Sequence, residues 1–145
     1  MASSAAGVRD QTGMAVAVAI ASEADLIHVR QALRAEADRA GLGLVDQTKL
    51  VTAGSELALN ILRYATGSRG RMLAERIADD GRGGVRATFG DDGPGIDDVD
   101  AALVDGFSTA GCAGIGLPGS RRLVDEMEIT TGGSGTTVVI VKWRR

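Results

Sequence analysis

The sequence is short of the residues that most often carry chemistry by themselves. It has one cysteine, Cys112, and one histidine, His28. A lone cysteine excludes an internal disulfide and suits a reducing compartment. One histidine and one cysteine also fall short of a tetrahedral zinc site, and His28 sits inside a helical pattern as a surface or boundary residue. Aromatics make up only 3% of the chain, so the core has to rest on Val, Leu, Ile and Ala. Basic charge is in deficit as well. The net charge of −3 argues against a nucleic-acid binder, which needs a basic face to displace counterions. The short basic end Lys142, Arg144, Arg145 is too small to define one. Long apolar runs are missing: residues 15–21 are too few to span a bilayer and lack the cationic start of a signal peptide. These gaps point to a cytoplasmic protein with no nucleic-acid and no membrane partner.

What is present is the material of one ordinary domain. The 145 residues are 44% apolar and 24% charged, too apolar for disorder. Glycine is the outlier, with 21 copies, about twice the usual share. They cluster at 81–84, 90–95, 111–119 and 132–135 instead of repeating, which marks several places where main chain can approach a ligand closely.

Residues 1–13 are small and polar and read as a flexible N-terminal tail, leaving 14–145 as a single domain. Residues 14–21 are β-rich. Ser22 with Asp25 resembles a capping arrangement for a helix over 23–40, in which Leu26, Val29, Leu33 and Ala37 recur at helical spacing. Gly41 and Gly43 end it. Asp46 can cap a second helix over 47–65, with Leu50, Leu57 and Ile61 among its apolar positions. A strand over 70–77, a hairpin turn at Asp80-Gly81-Arg82-Gly83 and a partner strand over 85–89 follow. The spacing then predicts a short helix over 97–104, a flexible loop over 107–114, a third main helix over 117–127, and strands over 128–131 and 136–142. Hairpins require antiparallel pairs, so a purely parallel doubly wound sheet is excluded. The expected fold class is α/β, an α+β two-layer sandwich whose mixed, largely antiparallel sheet has its helices on one face.

Three segments can carry chemistry. In Ser55-Glu56-Leu57-Ala58-Leu59-Asn60, Glu56 and Asn60 are four apart and share a helix face. A carboxylate beside a carboxamide can serve an attacking hydroxyl and a hard cation, although polar pairs on helices are commonly just solvated. Asp91-Asp92-Gly93-Pro94-Gly95-Ile96 follows a strand, placing an acceptor at the strand's end, and the same residue types also build plain turns. Gly111-Cys112-Ala113-Gly114-Ile115-Gly116-Leu117-Pro118-Gly119 leads into a helix, where free N–H groups and glycines make a ready anion site. The literal G-x-G-x-x-G at 114–119 is not a dinucleotide fingerprint, because it follows a long loop late in the chain instead of an early strand. The acids Asp92, Asp97, Asp98, Asp100 and Asp105 do not have calcium-loop spacing.

In this order the three segments resemble the boxes of the GHKL ATP-binding superfamily, the Bergerat ATP-binding fold, and within it the serine-kinase and anti-sigma branch. Ser55 to Ile61 resembles the N box, Asp91 to Ile96 the D-x-G-x-G box, and Gly114-Ile115-Gly116-Leu117 the G-x-G-L box. The run Asp105-Gly106-Phe107-Ser108-Thr109 and the ending Gly133-Ser134-Gly135-Thr136 … Lys142-Trp143 are similar to the stressosome switch kinases of that branch. The likeness runs from Met14 to the C-terminus. It implies binding of ATP with Mg²⁺, with Asn60 as metal ligand and Glu56 as the general base that deprotonates a substrate serine. Asp91 would accept a hydrogen bond from the adenine amino group, with Gly93 and Gly95 shaping that pocket. Gly114, Ile115, Gly116 and Leu117 would cradle phosphates, and Thr136 would lie near the adenine. The implied activity is that of an ATP-dependent protein serine/threonine kinase acting as a partner switch. Its substrates would be STAS-domain scaffold and antagonist proteins, and once released it would activate a PP2C-type phosphatase in a stress response. The competing expectation is an anti-sigma or phosphatase-activating ATP-binding module without phosphotransfer. A detached histidine-kinase catalytic domain fits less well, since no dimerisation helix with a phosphoacceptor histidine is present. Two departures from the family pattern bear on the partner surface and the rate of transfer: Leu59 stands where an Arg usually precedes the N-box Asn, and Cys112-Ala113 alters the loop before the phosphate box.

Overall fold

The computed structural model describes residues 15–64, 70–91, 116–132 and 135–145. The 1–13 tail, the 97–104 helix and the 107–114 loop expected above lie outside the described residues. Among those described, the order is β1 (Val16–Ile20), α1 (Asp25–Arg39), α2 (Leu44–Tyr64), β2 (Gly70–Asp79), β3 (Arg82–Asp91), α3 (Gly116–Leu123), β4 (Glu126–Gly132) and β5 (Gly135–Trp143). The strands form one sheet in the order β1-β2-β3-β5-β4, and every described pairing is antiparallel. The expectation of a largely antiparallel sheet holds, and among the described strands no pair is parallel.

The β2–β3 hairpin shows why local chemistry suffices in places. Its turn is Asp80-Gly81 alone, with φ of 52° and 78°, the left-handed pair that matches strand twist. Arg82 and Gly83 are already in the ladder, so each strand is longer than expected. From this turn the alternation of side chains follows. Met72, Ala74, Val85, Ala87, Phe89, Val138 and Ile140 point to one face and are buried with Val29, Leu33 and Ala37 of α1 and Leu50, Leu57 and Ile61 of α2. Both helices cover that face, and α3 packs on α2. The opposite face carries Leu73, Val139 and the pair Arg86–Glu75 at 3.3 Å.

Three boundaries move, the first for a local reason and the other two for tertiary ones. Ser22 does not cap α1 with its side chain. The Asp25 carboxylate instead accepts the N–H groups of Ala21 at 2.8 Å and Ser22 at 3.1 Å, and the helix starts at Asp25. Helix α2 begins at Leu44, with Asp46 in its first turn and not at its cap. There Asp46 meets Lys142 at 3.6 Å, while the Gln47 amide reaches back to the Leu42 carbonyl at 2.9 Å. Helix α3 stops at Leu123, short of the expected 127, because Asp125 N–H donates to the Val141 carbonyl and draws the chain into the β4–β5 ladder.

Candidate functional site

Glycines set the geometry on which the candidate residues depend. Helix α2 lies so close to α1 and β3 at Gly54 that a Cβ there would fall 2.2 Å from Leu33 Cδ1 and 3.2 Å from Phe89 Cζ. Glu56 is two residues further along α2, and Asp91 is two residues beyond Phe89 on β3. A second close approach lies about two turns on. A Cβ at Gly70 would stand 2.8 Å from Ile61 Cγ2 and 2.5 Å from the Gly90 carbonyl oxygen. Gly70 is in turn the register partner of Asp91. The residue after Asn60 therefore touches the residue opposite Asp91, so the helix end and the strand end meet.

Asp91 is flanked on its other side by Thr136, its partner in β5. Thr136 is buried, and its hydroxyl lies 3.0 Å from that of Thr131 on β4. A carboxylate and two hydroxyls thus share one end of the central strands, a set suited to a ring bearing an amino group. On α2, Glu56 and Asn60 are both half-buried. Glu56 Oε1 is shielded from solvent and, among the described residues, has no hydrogen-bond partner. A buried carboxylate oxygen without a donor costs roughly 1–3 kcal/mol or more, and a hydroxyl brought by another molecule would remove that cost. Gly116 and Leu117 open α3, which packs on α2, with Leu117 half-buried against the core. Gly93, Gly95, Gly114 and Ile115 lie outside the described residues.

The donor set suits a magnesium ion that arrives with its nucleotide. Such an ion keeps several waters and phosphate oxygens and needs only one or two protein ligands, which Asn60 can supply. Among the described residues no group of three or more His, Cys, Asp or Glu forms a protein cage for a metal.

Sequence reasoning passed over Gly54, and it placed Gly70, Ile61 and Thr131 in their elements without the contacts across the fold on which their roles here depend. It also passed over Arg30, whose Nε donates to Ser55 Oγ at 2.9 Å beside Glu56. Ile27, 54% exposed, lies three residues before Arg30 on α1, and Leu59 lies four residues after Ser55 on α2. The surface next to Glu56 is therefore partly apolar where Leu59 stands.

Comparison with known proteins bears on the family and the fold. The profile of the histidine kinase-like ATPase domain family matches residues 20–142. The chain is 43% identical over 129 residues to the serine/threonine-protein kinase RsbT of Bacillus subtilis (strain 168), covering 88% of this chain and 96% of that protein. Its fold is similar to the crystal structure of the RsbU and RsbW domains of Rv1364c from Mycobacterium tuberculosis, with a TM-score of 0.63 and 25% identity. That match covers 90% of this chain and 33% of the other, so this chain spans about one third of that longer polypeptide. A histidine kinase domain from the Erythrobacter litoralis EL346 blue-light activated histidine kinase shares the fold at a TM-score of 0.51 and 24% identity, over 82% of this chain and 63% of that one.

Proposed function

The chain belongs to the histidine kinase-like ATPase domain family and is a serine/threonine-protein kinase, and we propose that it acts as a partner switch on STAS-domain proteins and a PP2C-type phosphatase. The observation that carries the chemical part is the buried Oε1 of Glu56, without a hydrogen-bond partner among the described residues and one helical turn from Asn60. A carboxylate with an unfilled acceptor position is placed to take the proton of a serine or threonine hydroxyl. As it does so, the substrate oxygen bonds to the γ-phosphorus of ATP, the bond to the bridging oxygen breaks, and ADP leaves with that electron pair. Such transfers depend on positioning and charge stabilisation more than on covalent chemistry.

Asp91 and Thr136 would hold the adenine end, with Gly93 and Gly95 allowing the chain to close around it. Gly114, Ile115, Gly116 and Leu117 would present backbone N–H groups to the phosphates at the start of α3. Asn60 would ligate Mg²⁺, which when bound offsets the charge of the phosphates. The substrate approaches Glu56 past Ile27, Arg30 and Leu59. In this reading the unphosphorylated STAS proteins retain the kinase, and release frees it to activate the phosphatase. No helix among the described residues is long and apolar enough to cross a membrane, and we place the switch in the cytoplasm.

The test is transfer of label from radioactive ATP to a purified STAS protein. Glu56→Gln keeps the shape of the side chain but removes the base. Transfer should fall by at least about a hundredfold, the usual scale of general-base catalysis, while ATP binding stays within about threefold. Full transfer by this variant would remove Glu56 from the mechanism. An unchanged phosphatase output alongside lost transfer would favour activation without phosphorylation.

A further inference from the structure

The end of the molecule away from Glu56 carries an apolar and cationic surface that the kinase reaction does not use. Leu44 and Val45 are 71% and 68% exposed, more than any other large apolar side chain among the described residues. They open α2, directly after the Gly41–Gly43 connection. Arg144 lies against that connection, with its Cδ 2.9 Å from where a Gly41 Cβ would stand. Arg145 pairs with Asp125 and reaches Asp46, the residue after Val45, at 4.0 Å. Lys49 is exposed one turn along from Val45.

The charge around the two apolar side chains is not balanced. Asp46 and Asp125 are already engaged by Lys142, a 2% exposed lysine 3.6 and 3.8 Å from them. Lys142 and Arg145 are matched by Asp46 and Asp125, and Lys49 and Arg144 beside them have no carboxylate partner among the described residues. Two positive charges are left over in a chain whose net charge is −3. Burying Leu44 and Val45 under a partner would recover apolar surface now in water, and the surplus cations select an acidic rim on that partner.

We propose that Leu44, Val45, Lys49, Arg144 and Arg145 form the docking surface for the phosphatase partner, through a segment with apolar side chains flanked by acids. This rests on the partner-switch reading above. Eleven residues of α2 separate Val45 from Glu56, or roughly 17 Å at 1.5 Å per residue. A substrate has to bring its hydroxyl to Glu56. A partner that is activated without being phosphorylated can bind at the other end.

The test is the double variant Leu44→Glu with Val45→Glu. Both positions are in the first turn of a helix, where acidic side chains are favoured, so the fold is retained. Affinity for the purified phosphatase, measured by isothermal titration, should fall by at least about tenfold, the loss expected when one apolar side chain is no longer buried. Phosphorylation of the STAS protein should stay within about twofold of the parent. Lys49→Glu with Arg144→Glu should also weaken the phosphatase complex and reduce its dependence on salt. Parental phosphatase affinity in the first variant overturns the surface. Weakened STAS phosphorylation with intact phosphatase binding overturns the occupant, since the substrate would then be docking there. A parent protein that binds no phosphatase overturns the partner-switch reading itself, and the surface assignment with it.

Discussion

Replacing Gly54 by alanine tests whether close approach of the helices positions α2. A Cβ at this position would lie 2.2 Å from Leu33 Cδ1 and 3.2 Å from Phe89 Cζ, where carbon atoms prefer about 3.5–4.0 Å. Leu33 is fully buried and Phe89 nearly so, so neither can swing into solvent. Overpacking of this kind costs about 1–3 kcal/mol. Against it stands the better helix propensity of alanine, which gains about 1 kcal/mol over glycine. The net expectation is a loss of about 1 kcal/mol, up to about 2. The sign should reverse in a Leu33→Ala background. That change alone costs about 2–5 kcal/mol, but it removes the atom that clashes. There Gly54→Ala should stabilise by about 1 kcal/mol, through propensity and by filling part of the cavity. Urea unfolding of all four proteins, read as the midpoint with an unchanged slope, gives the coupling directly. If Gly54→Ala has the same sign in both backgrounds, the close approach of the helices does not depend on the missing methyl group and the reasoning fails. Because Glu56 is two residues away, the single variant should also transfer phosphate more slowly, and Leu33→Ala should restore part of that rate.

Asp91→Asn should weaken ATP binding by about ten- to a hundredfold, since a charge-assisted hydrogen bond contributes roughly 1.5–3 kcal/mol. Calorimetry showing parental affinity would take Asp91 out of the nucleotide site. The Asp25 carboxyl is held below its usual value of 3.8, first by the Ala21 N–H, then by the Ser22 N–H, with His28 adding less. A carboxyl with a lowered folded pKa contributes stability above its unfolded pKa and loses it as pH falls through the folded value. The stability gap between the parent and Asp25→Asn should therefore be full at about pH 6 and close on acidification below about pH 4. A gap that stays constant over that range would mean that the two N–H contacts do not depend on the charge.

Much of the framework can be read directly from the residues. The helical recurrence of Leu26, Val29, Leu33 and Ala37 marks the face of α1 that packs on the core, with Val29, Leu33 and Ala37 buried and Leu26 partly so. Asp80-Gly81 makes a hairpin because its left-handed backbone angles are a local property. The spacing of Glu56 and Asn60 puts them on one helix face whatever surrounds the helix. Periodicity and turn chemistry act over a few residues, and the chain alone states them.

The remainder depends on groups far apart in the chain. The start of α2 involves Asp46 and Lys142, and the end of α3 involves Asp125 and Val141. Asp91 and Thr136 become neighbours only when β3 and β5 pair. The N box, the strand-end aspartate and the closing threonine were legible as an ordered set, but nothing in their spacing says that Ile61 rests on Gly70 opposite Asp91. Nor could the sequence show that Glu56 keeps a buried oxygen without a partner among the described residues, or that Leu44 and Val45 stay in water while Leu50 does not. An apolar residue is written the same way whether the fold covers it or not. Burial and satisfaction depend on what the rest of the chain brings alongside, and only the tertiary structure decides that.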